Sequence, residues 1–592
     1  MYIFGKPEQF KSMRTEKSWR ADFVPVALLI SLLLLGVICM VHLLVMAVFI
    51  LRGKFPPYIF PLSIASVMGL VFLLAGRLGI QKRQLLIASI VCLLIFALGL
   101  LVSWCYFDFS WDGQWYQQAA IYNLSENWNP FVDPLATPDH LNNPSILHFP
   151  KNSWYFGAAL LRLFGTVEMG KTYNVILLFA AFGVFYALCR DLRMSVARSV
   201  TLTILVLLNP VVWSELTTFL NDGDLYLLLI TYLASVMLWL RNSKITFVLI
   251  SIMAGICLVN IKFTGLVFFI LTSIFIFIYV LIRARKRVMP FLLWHMTATI
   301  LALGLFGFNP YVTNTLKRGA PLYPLIGSKE YPGVIGSGND DNEKYETPKN
   351  MRGKSLPVRL VYANFGRPGN APYNHEDSAR LEWPLTSDLS SWSAYDYHET
   401  RVAGFGPGFG LLLMFTVPLL PLLIAARWRH WGLEAMLFIL GVCFCQSISK
   451  HFWWPRFFPM FWLLPVVPIF LLWVNGNNQS TERRNGRWKR GPNDLGWFLA
   501  VLMCVNGGIV AFIHLRWETR SSLKLRAELT QIHAARRPIV VDYGWFKRSV
   551  EEKLSHWEID FTYGPLRGSD SLVRELPSVV EGYPNEVIFI TK

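Results

Sequence analysis

The residue types that could do chemistry gather in four short stretches of the chain. In Phe107-Asp108-Phe109-Ser110-Trp111-Asp112-Gly113-Gln114-Trp115-Tyr116-Gln117, two carboxylates stand four residues apart among aromatic rings. On a continuing helix that spacing puts Asp108 and Asp112 on one face, where an acid could take a proton from an attacking hydroxyl. Flanking rings such as Trp115 and Tyr116 could stack on a sugar; equally, the stretch could be an interfacial aromatic belt with incidental acids. A second acidic pair, Asp222 and Asp224, sits in Thr217-Thr218-Phe219-Leu220-Asn221-Asp222-Gly223-Asp224, where amino-terminal helix capping competes with a ligand-binding role. Asn260-Ile261-Lys262-Phe263-Thr264-Gly265 interrupts a long apolar run and leaves Lys262 as either a specific cation or a lysine snorkelling to headgroups. Lys450-His451-Phe452-Trp453-Trp454-Pro455-Arg456 adds His451 and Arg456. The planar fork of an arginine suits a phosphate, with interfacial anchoring as the plainer use.

The elements that must hold these groups are set by composition. Of 592 residues, 54% are hydrophobic and only 16% are charged, and mean hydropathy is +0.41. A soluble domain carries nearer a quarter charged residues, and a disordered chain lacks so much apolar surface. The reading is an all-α polytopic membrane protein. Apolar runs of the length a bilayer demands predict about thirteen transmembrane helices, near 24–51, 57–76, 84–105, 170–189, 199–215, 223–240, 245–260, 264–282, 289–307, 404–425, 431–448, 457–474 and 495–513.

Charge orients them. The net charge of +17 could signal nucleic acid, but its location says otherwise. With the amino end inside, basic residues fall in the cytoplasmic connections: Arg77–Arg83, Arg190–Arg198, Arg241–Lys244, Arg283–Arg287, Arg427–Arg429 and Asn475–Asp494. Lys6, Lys11, Arg14, Lys17 and Arg20 precede the first span, which is too long for a signal-peptide core. This register requires Ser153–Gly165 to lie along the interface rather than cross. The carboxyl terminus then faces outward, as do the loops 106–169 and 308–403. In the tail, Leu523–His533 and Val550–Leu554 read as helices, and Pro538–Tyr543 and Glu586–Thr591 as strands of a small α/β domain. All eight cysteines lie in or at the ends of predicted helices, so the outer parts cannot build disulfides, and Cys443 and Cys445 are poorly spaced for a metal.

An outward-facing enzyme has no access to cytoplasmic nucleotide sugars and needs a donor delivered in the membrane, such as a polyprenyl-phosphate sugar. The four stretches resemble, in order and spacing, the GT-C-type glycosyltransferases, the superfamily of protein O-mannosyltransferases and aminoarabinose transferases. Asp112-Gly113-Gln114-Trp115-Tyr116 is similar to that family's Asp-x-x-x-Tyr in the first outward loop, with Gln117 where His is common. Phe149-Pro150-Lys151-Asn152-Ser153-Trp154 through Leu163-Phe164-Gly165 resembles its interfacial helix, and Asn221–Asp224 its second acidic loop. Asn309-Pro310-Tyr311 and Gly319-Ala320-Pro321-Leu322-Tyr323-Pro324 resemble the start of its large loop, and Arg456-Phe457-Phe458-Pro459 its Arg-aromatic-Pro signature, one place short.

The resemblance covers residues 84–474 and implies a GT-C-like catalytic core there. Around it stand residues 1–83, with two extra helices; 475–515, a cytoplasmic loop and the last helix; and 516–592, the outward α/β domain. It implies inverting transfer with Asp112 as general base and Asp108 second, and donor binding by Tyr116, Trp115, Asp222, Asp224, Lys262, His451 and Arg456. The resemblance assigns no definite cofactor: some members of that family use a divalent cation, magnesium or manganese, and others do not, and no complete oxygen cage is visible here. The implied partners are the lipid-linked donor, membrane lipid and a glycan, lipid or protein acceptor, in a bacterial inner membrane. A glycan polymerase or ligase is the nearest rival. A transporter or flippase would instead set its polar groups at the midplane of two related halves.

Overall fold

The computed structural model describes residues 24–132, 144–334, 342–369, 378–384, 386, 388–474, 490–536, 538–542, 546–564, 573–575 and 588–591. The basic residues Lys6 to Arg20 and the cluster from Arg483 to Lys489 lie outside them. Among the described residues, ten helices are long and apolar enough to cross a membrane: Val24–Ile50, Ile59–Leu78, Lys82–Cys105, Val167–Asp191, Asp222–Asn242, Phe263–Arg283, Arg285–Phe306, Phe409–Ala426, Trp428–Ser447 and Asn493–Ala535. Three shorter apolar helices, Val196–Leu207, Ile245–Ile261 and Pro459–Trp473, stand where the other spans are expected. The chain is an all-α multi-pass membrane protein.

Burial follows hydrophobic patterning. The Val24–Ile50 helix is apolar all round and sits inside the bundle, as such helices do. Its closest neighbour is the Thr172–Asp191 helix. A side chain at Gly183 would meet Ser31 Oγ at 2.3 Å and the Ala27 carbonyl at 2.4 Å, so only glycine admits this approach. Ser31 Oγ seals the contact by donating to the Ala180 carbonyl at 2.8 Å. The Ile59–Leu78 and Lys82–Cys105 helices lie at the rim and leave Leu70, Phe72, Leu73, Leu86 and Leu94 exposed, as a lipid-facing surface requires.

The short Asn152–Phe164 helix buries Trp154, Tyr155, Phe156 and Leu160 and exposes Leu163 and Phe164. Gly165 ends it in a left-handed conformation, φ 75°. Thirteen residues are too few to cross a bilayer, as the topology requires.

The tail departs from expectation in one respect. The last span and the helix predicted over Leu523–His533 are one continuous helix, Arg490–Ala535. Residues 514–522 contain neither glycine nor proline, so nothing in the chain breaks it. Beyond it, β1 (Ile539–Asp542), β2 (Phe561–Tyr563), β3 (Val573–Glu575) and β4 (Ile588–Thr591) form a sheet in the order β2-β1-β4-β3. β1 runs parallel to β2 through the Lys547–His556 helix and antiparallel to β4, with Val540 opposite Ile590.

Leu525, Leu529, Ile539, Val541, Phe546, Val550 and Leu554 pack together with Phe107 and Phe109. The Trp111 ring stands 4.8 Å from Phe546. Three aromatics of the first acidic stretch are therefore occupied by the tail and present neither a sugar platform nor a lipid belt.

Candidate functional site

The site is built where helices end. The Lys82–Cys105 helix stops at Tyr106, whose backbone turns extended, and helical geometry resumes only at Trp111. Asp108 and Asp112 therefore do not share a face, contrary to the sequence expectation. Asp108 turns inward and is wholly buried. Its carboxylate accepts from Ser110 N at 2.9 Å, Ser110 Oγ at 2.7 Å, Gln118 Nε2 at 3.2 Å and Phe219 N at 3.4 Å. Burial, reinforced by the neighbouring Glu168, pushes its pKa up to about 6. Gln118 also joins it to the tail, accepting from Ser549 Oγ at 2.6 Å.

Asp112 points the other way, to Arg456. The Arg456 guanidinium gathers three carboxylates: Nη2 binds Asp112, Nη1 binds Glu399, and Nε donates to Asp222 at 2.8 Å. Lys262 Nζ approaches the other oxygen of Asp222 to 2.6 Å. Burial works against a charge on Arg456, yet Glu399, Asp112, Asp222 and Glu215 around it hold the guanidinium firmly protonated. Glu399 is pushed up by burial, and Arg456 offsets part of that rise.

Each member has a local reason for its place. Asp222 opens the Asp222–Asn242 helix, but the exposed amides are served by Glu215, which accepts from Gly223 N at 2.7 Å. Capping therefore does not consume Asp222, whose carboxylate lies in the favourable field of the helix amino terminus. Lys262 is a single extended residue, φ −159° and ψ 151°, between the Ile245–Ile261 and Phe263–Arg283 helices. The hairpin is tight: a side chain at Gly265 would meet the Leu258 carbonyl at 1.9 Å. Asn221 Nδ2 donates to the Ile261 carbonyl at 3.1 Å and fixes the Asp222 segment against it. Asn209 Nδ2 likewise donates to Pro459 O at 3.0 Å, tying the Pro210–Glu215 helix to the Arg456 segment.

Tyr116 borders the cluster. Its hydroxyl is held protonated, by burial first and then by the charge of Asp112, and its ring lies 5.7 Å from that of Trp115. Trp115 itself is 36% exposed. The structure thus joins Asp112, Asp222, Lys262 and Arg456, with Tyr116 beside them. Asp224 and Asp108 make no hydrogen bond to Arg456 or Lys262 among the described residues. Asp224 is two residues from Asp222, hence on another side of the helix.

Sequence reasoning missed Glu399 and Glu215. Glu399 belongs to a 308–403 loop whose charges nearly balance, so nothing set it apart there. Glu215 stood within an expected span, and an acid at such depth was itself a signal.

Asp112, Asp222 and Glu399 surround a guanidinium rather than a common point where a cation would sit. Among the described residues, the one group of His, Cys, Asp and Glu with ligand atoms mutually within 4.8 Å is elsewhere, at His398, His514 and Glu518. The magnesium or manganese ion expected from the sequence as an optional cofactor does not fit the Arg456 cluster as it stands, and no step is derived through it.

Fold and site together define a multi-pass membrane protein with a carboxylate–arginine centre at one end of its helices. No protein-family model, no curated protein and no solved structure matches the chain.

Proposed function

We propose that this protein is a GT-C-type membrane glycosyltransferase, moving a sugar from a polyprenyl-phosphate-linked donor to an acceptor with inversion. One observation carries the reading: Asp112, Asp222 and Glu399, from three separate segments, converge on Arg456, and Lys262 joins them through Asp222. Proton acceptors and phosphate-binding cations are thereby side by side. Asp112 is the base in this reading, because Asp222 is bound by two cations and 5% exposed, whereas Asp112 has one and is 23% exposed. The acceptor oxygen attacks the sugar's anomeric carbon and gives its proton to Asp112. The carbon–oxygen bond to phosphate breaks, its electron pair leaving on the phosphate, where Arg456 and Lys262 stabilise the charge. Attack opposite the leaving phosphate inverts the centre.

The surroundings support a lipid-linked donor. An apolar cavity of about 280 Å³, lined in part by Phe268, Phe275, Cys445, Phe470 and, two positions along the chain from Arg456, Phe458, suits an isoprenoid chain. Arg241 and Arg283 end the two helices that begin beside Asp222 and Lys262. The positive-inside rule then sets the cluster on the extracytoplasmic side, which the resemblance assigns to a bacterial inner membrane, with glycan, lipid or protein as acceptor.

The test is turnover. Protein reconstituted in liposomes, given a polyprenyl-phosphate sugar and an extract of its own membrane, should release polyprenyl phosphate. Asp112→Asn should cut that release by about 10²-fold or more. Normal turnover in Asp112→Asn would remove the base assignment, and failure of the unaltered protein to bind polyprenyl phosphate would remove the transferase reading itself.

A further inference from the structure

Directly behind Glu399, a second set of polar side chains is buried without explanation. His398 meets His514 and Glu518, which stand one turn apart on the Asn493–Ala535 helix. The side chains of His514 and Glu518 are 0% exposed and that of His398 6%. His398 Nε2 lies 3.4 Å from Glu518 Oε1, and His514 Nε2 lies 3.7 Å from the same oxygen. The two imidazole rings are 4.8 Å apart at 72°. Yet His398 Nε2, both ring nitrogens of His514 and both carboxylate oxygens of Glu518 make no hydrogen bond. Beside Glu518 stands the buried hydroxyl of Thr217, within reach of its carboxylate. Buried polar atoms are satisfied in the great majority of cases, so this many orphans at one point require a common partner.

The chemistry of the set says which. His398 Nδ1 is 3.0 Å from the Ser214 carbonyl, which can only accept. Nδ1 therefore carries the proton, and Nε2 presents a lone pair to the Glu518 carboxylate. Two electron-rich groups facing each other in a dry interior repel unless a proton or a metal ion lies between them, and one proton serves a single pair whereas three groups meet here. A histidine and a glutamate at i and i+4 share one helix face, and His398 completes a triangle from the loop. Two imidazoles with one carboxylate are the donors of zinc rather than of magnesium or calcium, which take oxygen. Zinc bonds of about 2.0–2.1 Å in a tetrahedron set neighbouring ligand atoms roughly 3.3 Å apart, near the 3.4 and 3.7 Å from the two imidazoles to Glu518, and the whole set lies within 4.8 Å.

We propose that His398, His514 and Glu518 bind a zinc ion, with the Thr217 hydroxyl or one water as fourth ligand. The ion is structural: it is enclosed, and it fastens the end of the 308–403 loop to the last long helix. Its neighbours in sequence are Glu399, bonded to Arg456, and, through Ser214, Glu215. It therefore positions two carboxylates of the Arg456 cluster without touching what binds there. The site does not rest on the transferase reading.

The experiment is metal analysis of the full-length chain, purified in detergent, loaded with zinc and desalted. About one zinc per chain is expected, falling at least tenfold in Glu518→Gln and in His514→Ala but not in Glu434→Gln, a carboxylate elsewhere in the bundle. Cobalt in place of zinc should give the visible absorption of a tetrahedral site. EDTA should lower the melting temperature of the unaltered protein, with zinc but not magnesium restoring it. Folded, unaltered protein that retains no zinc and shows no cobalt spectrum would overturn the proposal, as would full zinc content in Glu518→Gln and His514→Ala. Both readouts on the unaltered chain stand even if a variant fails to fold.

Discussion

Replacing Arg456 by glutamine keeps most of the side chain's bulk and removes the one charge that three carboxylates share. Asp222 retains Lys262, whereas Asp112 and Glu399 lose their bonded cation. Removing one partner of a buried ion pair costs about 3–5 kcal/mol. Asp112 and Glu399 are 23% and 21% exposed, so water relieves part of their loss and the total belongs near the lower end, about 3 kcal/mol. That loss falls on Asp112 and Glu399, the carboxylates left without a bonded cation. Adding Asp112→Asn should therefore restore part of the stability, with a coupling of about 1–2 kcal/mol between the two changes.

Thermal scans in detergent at one fixed rate give the comparison, since membrane proteins commonly unfold irreversibly. The sign with pH is fixed by linkage. Glu399 is already raised by burial and would lose the guanidinium that offsets the rise, so its folded pKa stands above the unfolded one and the stability it contributes is present in acid and lost as pH rises through the folded value. The deficit of Arg456→Gln should be largest near neutral pH and shrink toward about pH 5. An Arg456→Gln protein that melts with the unaltered one, or a double variant whose losses simply add, would refute the shared-cation account of the cluster.

Two further substitutions probe the first acidic stretch. A methyl group at Gly113 would lie 1.9 Å from Asp108 Oδ2 and 2.3 Å from Ser110 Oγ, both held by hydrogen bonds. Gly113→Ala should cost about 1–3 kcal/mol in stability and displace Asp112; a melting temperature equal to that of the unaltered protein would contradict this packing. Asp108→Asn sets an amide against groups that all donate, so it should destabilise by about 1–3 kcal/mol. With a folded pKa of about 6, above the unfolded carboxylate value, Asp108 contributes stability fully below about pH 4 and loses it as pH rises through about 6. The gap between Asp108→Asn and the unaltered protein should narrow across that window, and a gap that widened would be inconsistent with an acid so perturbed.

What the sequence made legible follows from how strongly each property is written into a local pattern. Apolar runs of bilayer length announce helices without reference to anything else, which is why the long spans stood out. Lys262 and Arg456 were legible because a charge beside such a run is expensive and needs a reason. The pairing of Asp108 with Asp112 misled because i,i+4 spacing has meaning only inside a helix, and Tyr106–Ser110 is not helical. Their divergence depends on tertiary partners, Glu168 and the tail on one side and Arg456 on the other. Glu399 and His398 were invisible for the same reason. They lie in a loop whose partners, Arg456 and Glu518, are 57 and 120 residues further along.

The members of the cluster share one structural circumstance: each stands where the backbone leaves a helix or joins one. Asp112 begins the helical turn after a break, Asp222 opens a helix, Lys262 is the single residue between two, and Glu399 and Arg456 lie in turns. In so apolar a chain these ends are the positions where charge can be gathered without crossing hydrocarbon. The cost of gathering it is met by mutual pairing, and that pairing constrains what can bind. Three carboxylates against two cations already leave negative charge in excess, so a phosphate cannot simply be added to Arg456; it must take the place of a carboxylate. Asp222 is bound twice and buried, and Glu399 is set by its neighbour His398. Asp112, bound once and open to solvent, is the carboxylate that yields. On the transferase reading, seating the donor's phosphate on Arg456 therefore frees Asp112 beside the sugar, so that one exchange both binds the donor and releases the base.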